Sequence, residues 1–380
     1  MSGDRLRVLH LIYDDPGNPW VGGGGAVRVR ELYRRLAPRL ASITVATGAY
    51  PGARDETIEG IHYRRLGAAG PYPWSRLTYA RAASRLLREG DYDAAVFDFS
   101  TYTLLRIPRG RPVGITVHHL TEQKALADRW GSLVGGALAS AELRRLRQAR
   151  VFSATSLATR ARLETLLGPA VEIHMVQAGV PDALFALPRR PQGYLLFFGR
   201  LDWHHKGLDV VLDAAARLVR ERPTLRLRIA GRGKDAERVA GAASVLGIAG
   251  SIDLIGAVSD ERRDELFAGA ELMLMPSRFE GFGMAAAEAM AAGVPLVASD
   301  AGSLPEVVDP PRGGVVVPTG DAEEMARAVA ALLDDPDRLR RTSESARSSA
   351  ERFRWDHVAD RHLEFLHAVR ARGGGGAQRG

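Results

Sequence analysis

Residues 271–308 read ELMLMPSRFEGFGMAAAEAMAAGVPLVASDAGSLPEVV. The apolar run LMLMPS (272–277) has the length of a buried strand, and PLVASD (295–300) repeats the pattern. Between them lie a glycine-bearing loop, RFEGFG, and an alanine-rich helix from about Met284 to Ala292. Glycines allow a backbone to approach a ligand closely, and the first N–H groups of a helix have no partner within it. Such an entrance favours an anion or an array of hydroxyls. Glu288, early in the helix, is placed to accept hydrogen bonds from a vicinal diol such as ribose. Glu280, on the loop, reaches another part of the same ligand. Taken alone, the spacing also fits a tight strand–helix turn carrying two surface acids.

The same alternation continues in both directions. Towards the amino terminus, YLLFFG (194–199), LRLRIAG (225–231) and SIDLIGA (251–257) read as strands, and GGVVVP (313–318) follows on the other side. LDVVLDAAARLVRE (208–221) and DAEEMARAVAALLDD (321–335) fill gaps with helical periodicity. A first series comprises RVLHLIY (7–13), SITVATG (42–48), AAVFDF (94–99), PVGITVHH (112–119) and VFSAT (151–155). The proline-rich segment 181–193 separates the two. The pattern predicts α/β architecture with two consecutive doubly wound, Rossmann-like domains, and ligand at the carboxyl ends of the strands. The expected division is 1–185, 186–355, a carboxy-terminal helix 356–370 packing back on the first domain, and a disordered tail 371–380.

At 380 residues, with 46% apolar and 26% charged side chains, the chain has the composition of a globular protein. No uncharged apolar run approaches the length of a membrane span, and the amino terminus reads as a first strand rather than a leader. The absence of cysteine excludes thiolate catalysis and Cys-ligated metal, and agrees with a cytoplasmic location. Lys and Arg outnumber Asp and Glu 25 to 16 over residues 1–180 but trail 27 to 29 over 181–380. That asymmetry suits either a default arginine-rich surface or a first half facing an anionic acceptor or the inner face of a membrane. Nucleic acid is not expected, since no basic run is interleaved with aromatics.

Three further stretches carry chemistry. In FFGRLDWHHKGLDVV (197–211), Arg200 directly follows a strand and Lys206 precedes a helix, so the pair could neutralise a diphosphate without metal or simply be solvated. VGGGGAVRVREL (21–32) opens an amphipathic helix with four glycines, suiting a phosphate cradle or a hinge, but fits neither the dinucleotide nor the P-loop spacing. GITVHHL (114–120) ends a strand at His118 and His119, where a histidine either meets ligand or packs. Adjacent His204 and His205 have poor spacing for a metal, and none is expected.

Together these segments resemble the retaining glycosyltransferases of family 4, which have the GT-B fold with two Rossmann-like domains facing a central cleft. The match is densest over 271–308, with its paired glutamates eight positions apart, and extends to FFGRLDWHHKGLD, AGRG (230–233) and the glycine loop. The resemblance implies transfer of a sugar from a nucleoside-diphosphate sugar, UDP or GDP, to a glycan, lipid-linked or small-molecule acceptor hydroxyl, without cofactor. It implies that Arg200 and Lys206 bind the diphosphate, Glu280 the donor sugar and Glu288 the ribose. It further implies that the backbone at Gly281, Phe282, Gly283 and Met284 meets hydroxyls and phosphate. Gly23 and Gly24 would approach the diphosphate, and His118 the sugar near its anomeric centre. Arg232, between the glycines of AGRG, belongs to the same donor set but stands where an acid or small residue is usual. A catalytically silent nucleotide-sugar-binding protein, or a phosphorylase or synthase of the same fold, are the competing readings.

Overall fold

The computed structural model describes residues 5–19, 23–100, 106–118, 120, 140–141 and 143–374. It divides into two compact units, one of residues Met1–Ala178 with Trp355–Gly380 and one of Gly179–Arg354.

The first unit is built on eight strands: β1 (Arg7–Leu11), β2 (Ser42–Gly48), β3 (Glu56–Ile58), β4 (Ile61–Leu66), β5 (Ala94–Asp98), β6 (Val113–Val117), β7 (Val151–Ala154) and β8 (Glu172–Met175). Their order is β3-β4-β2-β1-β5-β6-β7-β8, and every pairing is parallel except the β3–β4 hairpin. Strands β5 and β6 are buried at every position, as a parallel sheet covered on both faces requires. On one face, Val29, Leu32 and Leu36 of the helix Gly24–Leu36 join Trp355, Phe365 and Val369 of the helix Trp355–Gly374 over Val8 and Val96. On the other, Tyr79, Ala83 and Leu87 of the helix Tyr72–Glu89 cover Leu9, Leu11 and Phe97. Gly114 seats the carboxy-terminal helix, because a Cβ there would lie 2.5 Å from Val369 Cγ2 and 2.7 Å from Phe365 Cζ.

Strands β3, β4 and β8 were not expected. In β4, buried Ile61 and Tyr63 alternate as a strand should, but Arg64 and Arg65 mask the pattern. Arg65 is accommodated by ion pairs to Asp15 (3.1 Å) and Glu56 (2.8 Å), which the sequence does not display.

The second unit carries β9 (Tyr194–Phe198), β10 (Arg226–Ala230), β11 (Ile252–Gly256), β12 (Ala270–Met275), β13 (Leu296–Ser299) and β14 (Gly314–Val317). The order is β11-β10-β9-β12-β13-β14, parallel throughout. The helix Leu208–Glu221 buries Leu208, Val211, Leu212, Ala215 and Leu218 against Leu195, Phe197, Leu227 and Ile229. Chain order reverses between β9 and β12, so the loops after these two strands flank the switch point where an open parallel sheet binds ligand.

The division falls at 178/179 rather than 185/186. Val180 N–H donates to Phe353 O (2.8 Å) and Asp182 pairs with Arg354 (3.0 Å), tying the segment to the second unit. The last helix runs from Trp355 to Gly374, longer than the expected 356–370, and takes in the start of the tail expected to be disordered. Residues 375–380 lie outside the described part.

Candidate active site

In the second unit, the loops after β9 and β12 bring two of the expected residues, Lys206 and Glu280, together. Lys206 Nζ donates to Glu280 Oε2 at 2.6 Å, and both side chains are largely buried. A lysine has three protons to give, so Lys206 can hold Glu280 and still reach a phosphate oxygen. The loops are stitched together beside this pair. Arg278 forks onto Asp209 through two bonds of 2.8 and 2.7 Å, and its backbone N–H donates to His205 O (2.9 Å). Gly207 has φ 64°, and a Cβ there would stand 2.2 Å from Pro276 O. This close approach lets the Lys206 loop lie against the strand that delivers Glu280.

The alanine helix spans Met284–Ala291, with Gly283 as its N-cap at φ 84°. Of the two loop glycines, Gly283 alone occupies the left-handed region, so Gly281 is not required by backbone conformation. Phe282 turns inward, edge-on to Phe353 at 5.3 Å, which anchors the loop. Buried Ala286, Ala287, Ala289, Met290 and Ala291 show why small residues dominate: the helix is enclosed nearly all round.

Glu288 is half-buried, yet desolvation pushes its carboxyl up to about 7. Arg263 pulls the other way, while Asp260 and Asp264 push it further up. This acidic setting with a single guanidinium was invisible in the sequence, where residues 260–264 read only as a charged helix. No hydrogen bond to the Glu288 carboxyl occurs among the described residues, which leaves it open to a ligand's hydroxyls.

Arg200 is exposed and 3.6 Å from Asp202, whereas Arg232 lies on the neighbouring loop. The two loops are zipped by Leu201 N–H to Arg232 O (2.8 Å) and Gly199 N–H to Ala230 O (3.0 Å). A Cβ on Gly231 would sit 1.7 Å from Gly199 O, so glycine is obligatory for that approach. His204 and His205 are loop residues, the latter bonded to Asp202 (3.0 Å).

In the first unit, His118 follows β6 and its Nε2 lies 2.8 Å from Asp98 Oδ2. Asp98 ends β5 and is buried, a residue that sequence reasoning passed over inside the strand AAVFDF. An acid closing an otherwise apolar strand was the available signal. Burial alone would raise the Asp98 carboxyl, but His10 and His118 outweigh it and hold it well below the usual range. His119 lies outside the described residues.

Gly23, where the described part of the glycine loop begins, caps the helix that starts at Gly24. Asp14 faces this turn, its Oδ2 3.8 Å from where a Gly23 Cβ would be. Burial pushes the Asp14 carboxyl up, against the pull of Arg76.

The family described as "Glycosyltransferase Family 4" matches residues 22–184, and "Glycosyl transferases group 1" matches 186–349. The chain is 33% identical over 302 residues to the MMP alpha-(1->4)-mannosyltransferase of Mycolicibacterium hassiacum, covering 74% of this chain and 72% of that protein. This chain belongs to glycosyltransferase family 4. The family 4 enzyme is also 28% identical to the GDP-mannose-dependent alpha-(1-6)-phosphatidylinositol monomannoside mannosyltransferase of Mycobacterium tuberculosis, over 95% of this chain and 98% of that one. Its fold is that of sucrose-phosphate synthase from Thermosynechococcus elongatus, with a TM-score of 0.80 over 97% of this chain and 100% of that chain at 21% identity. Both units therefore have the GT-B pattern of parallel α/β domains, and the protein is a glycosyltransferase. No helix among its described residues is long and apolar enough to cross a membrane.

Proposed function

We propose that the enzyme transfers a hexose, with retention of configuration and without metal, from a nucleoside-diphosphate sugar to an acceptor hydroxyl. The observation that carries this reading is the Lys206–Glu280 pair at the switch point of the second unit, with the open Glu288 carboxyl on the adjoining helix. Lys206 and Arg200 supply positive charge for a diphosphate, and the amides at the start of the helix Met284–Ala291 add their dipole. Glu280 takes hydroxyls of the donor sugar, and Glu288 takes the ribose diol.

In the reaction the bond between the anomeric carbon and the diphosphate oxygen breaks, and its electron pair leaves with the diphosphate. The acceptor oxygen bonds to the anomeric carbon from the same face, and its proton passes to the diphosphate. No protein side chain serves as nucleophile. Charge grows on the leaving group as the bond breaks, so the cations at Arg200 and Lys206 act on the transition state more than on the bound donor.

The family 4 relatives named for mannosyl transfer, one of them for GDP-mannose, favour a GDP-linked hexose as donor, and lipid-linked or glycan acceptors fit the basic first half. The test is a panel of UDP-, GDP- and ADP-sugars. One of them should raise the melting temperature and release its nucleoside diphosphate with the anomeric configuration kept in the product. Inverted product, or tight nucleotide binding with no turnover on any acceptor, refutes the proposal.

A further inference from the structure

A buried run of polar side chains in the first unit leads inward from His118. Asp98 Oδ2 meets His118 Nε2 at 2.8 Å, and Asp98 Oδ1 meets His10 Nε2 at 3.1 Å. His10 Nδ1 lies 2.9 Å from the Tyr33 hydroxyl, which in turn lies 3.1 Å from Nε2 of His362. His10, Tyr33 and His362 have no exposed surface, and the Tyr33 ring is edge-on to both imidazoles at 5.3 and 5.4 Å. Four elements meet in this chain: β1, the end of β5, the helix Gly24–Leu36 and the helix Trp355–Gly374.

The protons along it follow one order. An ionised carboxylate only accepts, so both imidazoles turn Nε2–H towards Asp98. With a single proton on the His10 ring, its Nδ1 accepts the Tyr33 O–H, and the Tyr33 oxygen accepts Nε2–H of His362. Burial, helped by nearby Arg28, holds His362 well below the ordinary histidine range and therefore neutral. Its Nδ1 is buried without a partner, so the inner end of the chain is blind. The outer end is His118, whose side chain is 29% exposed. Apolar side chains would fill this core at lower desolvation cost, so a fully buried polar run calls for a role beyond packing.

We propose that Asp98, His10, Tyr33 and His362 are positioning residues that lock the His118 ring with Nε2–H inward and Nδ1 outward. His118 thereby meets a substrate hydroxyl as a hydrogen-bond acceptor. The inference rests on the reading that His118 touches substrate in glycosyl transfer. Tyr33 is its pivot, because one hydroxyl links the helix that follows the glycine loop to the carboxy-terminal helix. Asp98 is the restraint, because an amide in its place would have to donate to one imidazole and force that ring into the other tautomer.

The test is long-range proton–nitrogen NMR on the full chain with labelled imidazole nitrogens, His118 assigned by the loss of its signals in His118→Gln. His118 is expected as the Nε2–H tautomer at neutral pH in the wild type. Asp98→Asn is expected to switch or average the tautomer of His118 or His10. Tyr33→Phe, which removes only the hydroxyl, is expected to lower kcat about tenfold to a hundredfold while donor KM stays within about twofold. A wild-type His118 that is protonated at Nδ1 overturns the proposal, as does a Tyr33→Phe enzyme with unchanged His118 signals and unchanged kcat. If His118→Ala keeps full transfer activity, the role of His118 falls, whereas the tautomer measurement judges the chain independently of it.

Discussion

Replacing Glu288 with glutamine isolates the most perturbed carboxyl of the site. Its ordinary value of 4.5 is raised to about 7 by burial, so the folded state takes up a proton that the unfolded chain has released. For an acid shifted upward, the associated stability is complete below the unfolded value and disappears as pH rises through the folded one. Integrating between 4.5 and about 7 gives a loss of roughly 2–3 kcal/mol between pH 5 and pH 8. Glu288→Gln has no proton to lose, so its stability relative to wild type should improve by that amount across the interval. Denaturant titrations of both proteins at pH 5, 6, 7 and 8 measure it. The same substitution removes an ionised acceptor from the ribose, which should weaken donor binding roughly tenfold to a hundredfold. Binding of the nucleotide to wild type should release about half a proton at pH 7, seen as buffer-dependent heat in calorimetry, and the variant should release none. A stability difference that is the same at pH 5 and pH 8 would refute the reasoning, since it would mean the carboxyl is not held out of water.

Other consequences follow from the same loops. Gly207→Ala places a methyl 2.2 Å from Pro276 O at a positive φ, so it should cost about 1–3 kcal/mol in backbone strain alone. It should also raise donor KM by displacing Lys206; a melting temperature equal to wild type would contradict this. Arg278→Ala breaks the fork onto Asp209 in a partly exposed setting and should cost only about 1 kcal/mol. Its larger effect should be on turnover, through loosened loops, and kinetics beside a denaturant melt would separate the two. Phe353→Ala, which removes the edge-on partner of Phe282, should cost about 3–5 kcal/mol by denaturant titration.

The second unit was legible because its strands are apolar runs bounded by glycine or proline, interrupted only by Arg226 and Arg228 in β10, Asp253 in β11 and Glu271 in β12, and all six occur where the runs lie. The first unit was less so. Strands β3 and β4 carry Glu56, Arg64 and Arg65, whose charges are neutralised only by partners such as Asp15 that the sequence places far away. Glu280, Glu288 and Lys206 could be singled out because each stands at the end of a strand or the start of a helix, where ligand binds. Asp98 could not be weighted, since its meaning comes from His10 and His118, respectively 88 and 20 positions away. Nor does the glycine run announce that Asp14 faces it. Spacing within one loop is visible in a sequence; the polar partner supplied by another strand is not.

The most direct test of glycosyl transfer at the second unit's switch point is the turnover of Lys206→Ala with the donor that stabilises wild type. Removing a cation aimed at the leaving diphosphate should lower kcat about a hundredfold to a thousandfold, with the far-ultraviolet spectrum unchanged and a lower melting temperature, since Glu280 loses its buried partner. Turnover by the purified variant near the wild-type rate would contradict the assignment of the site.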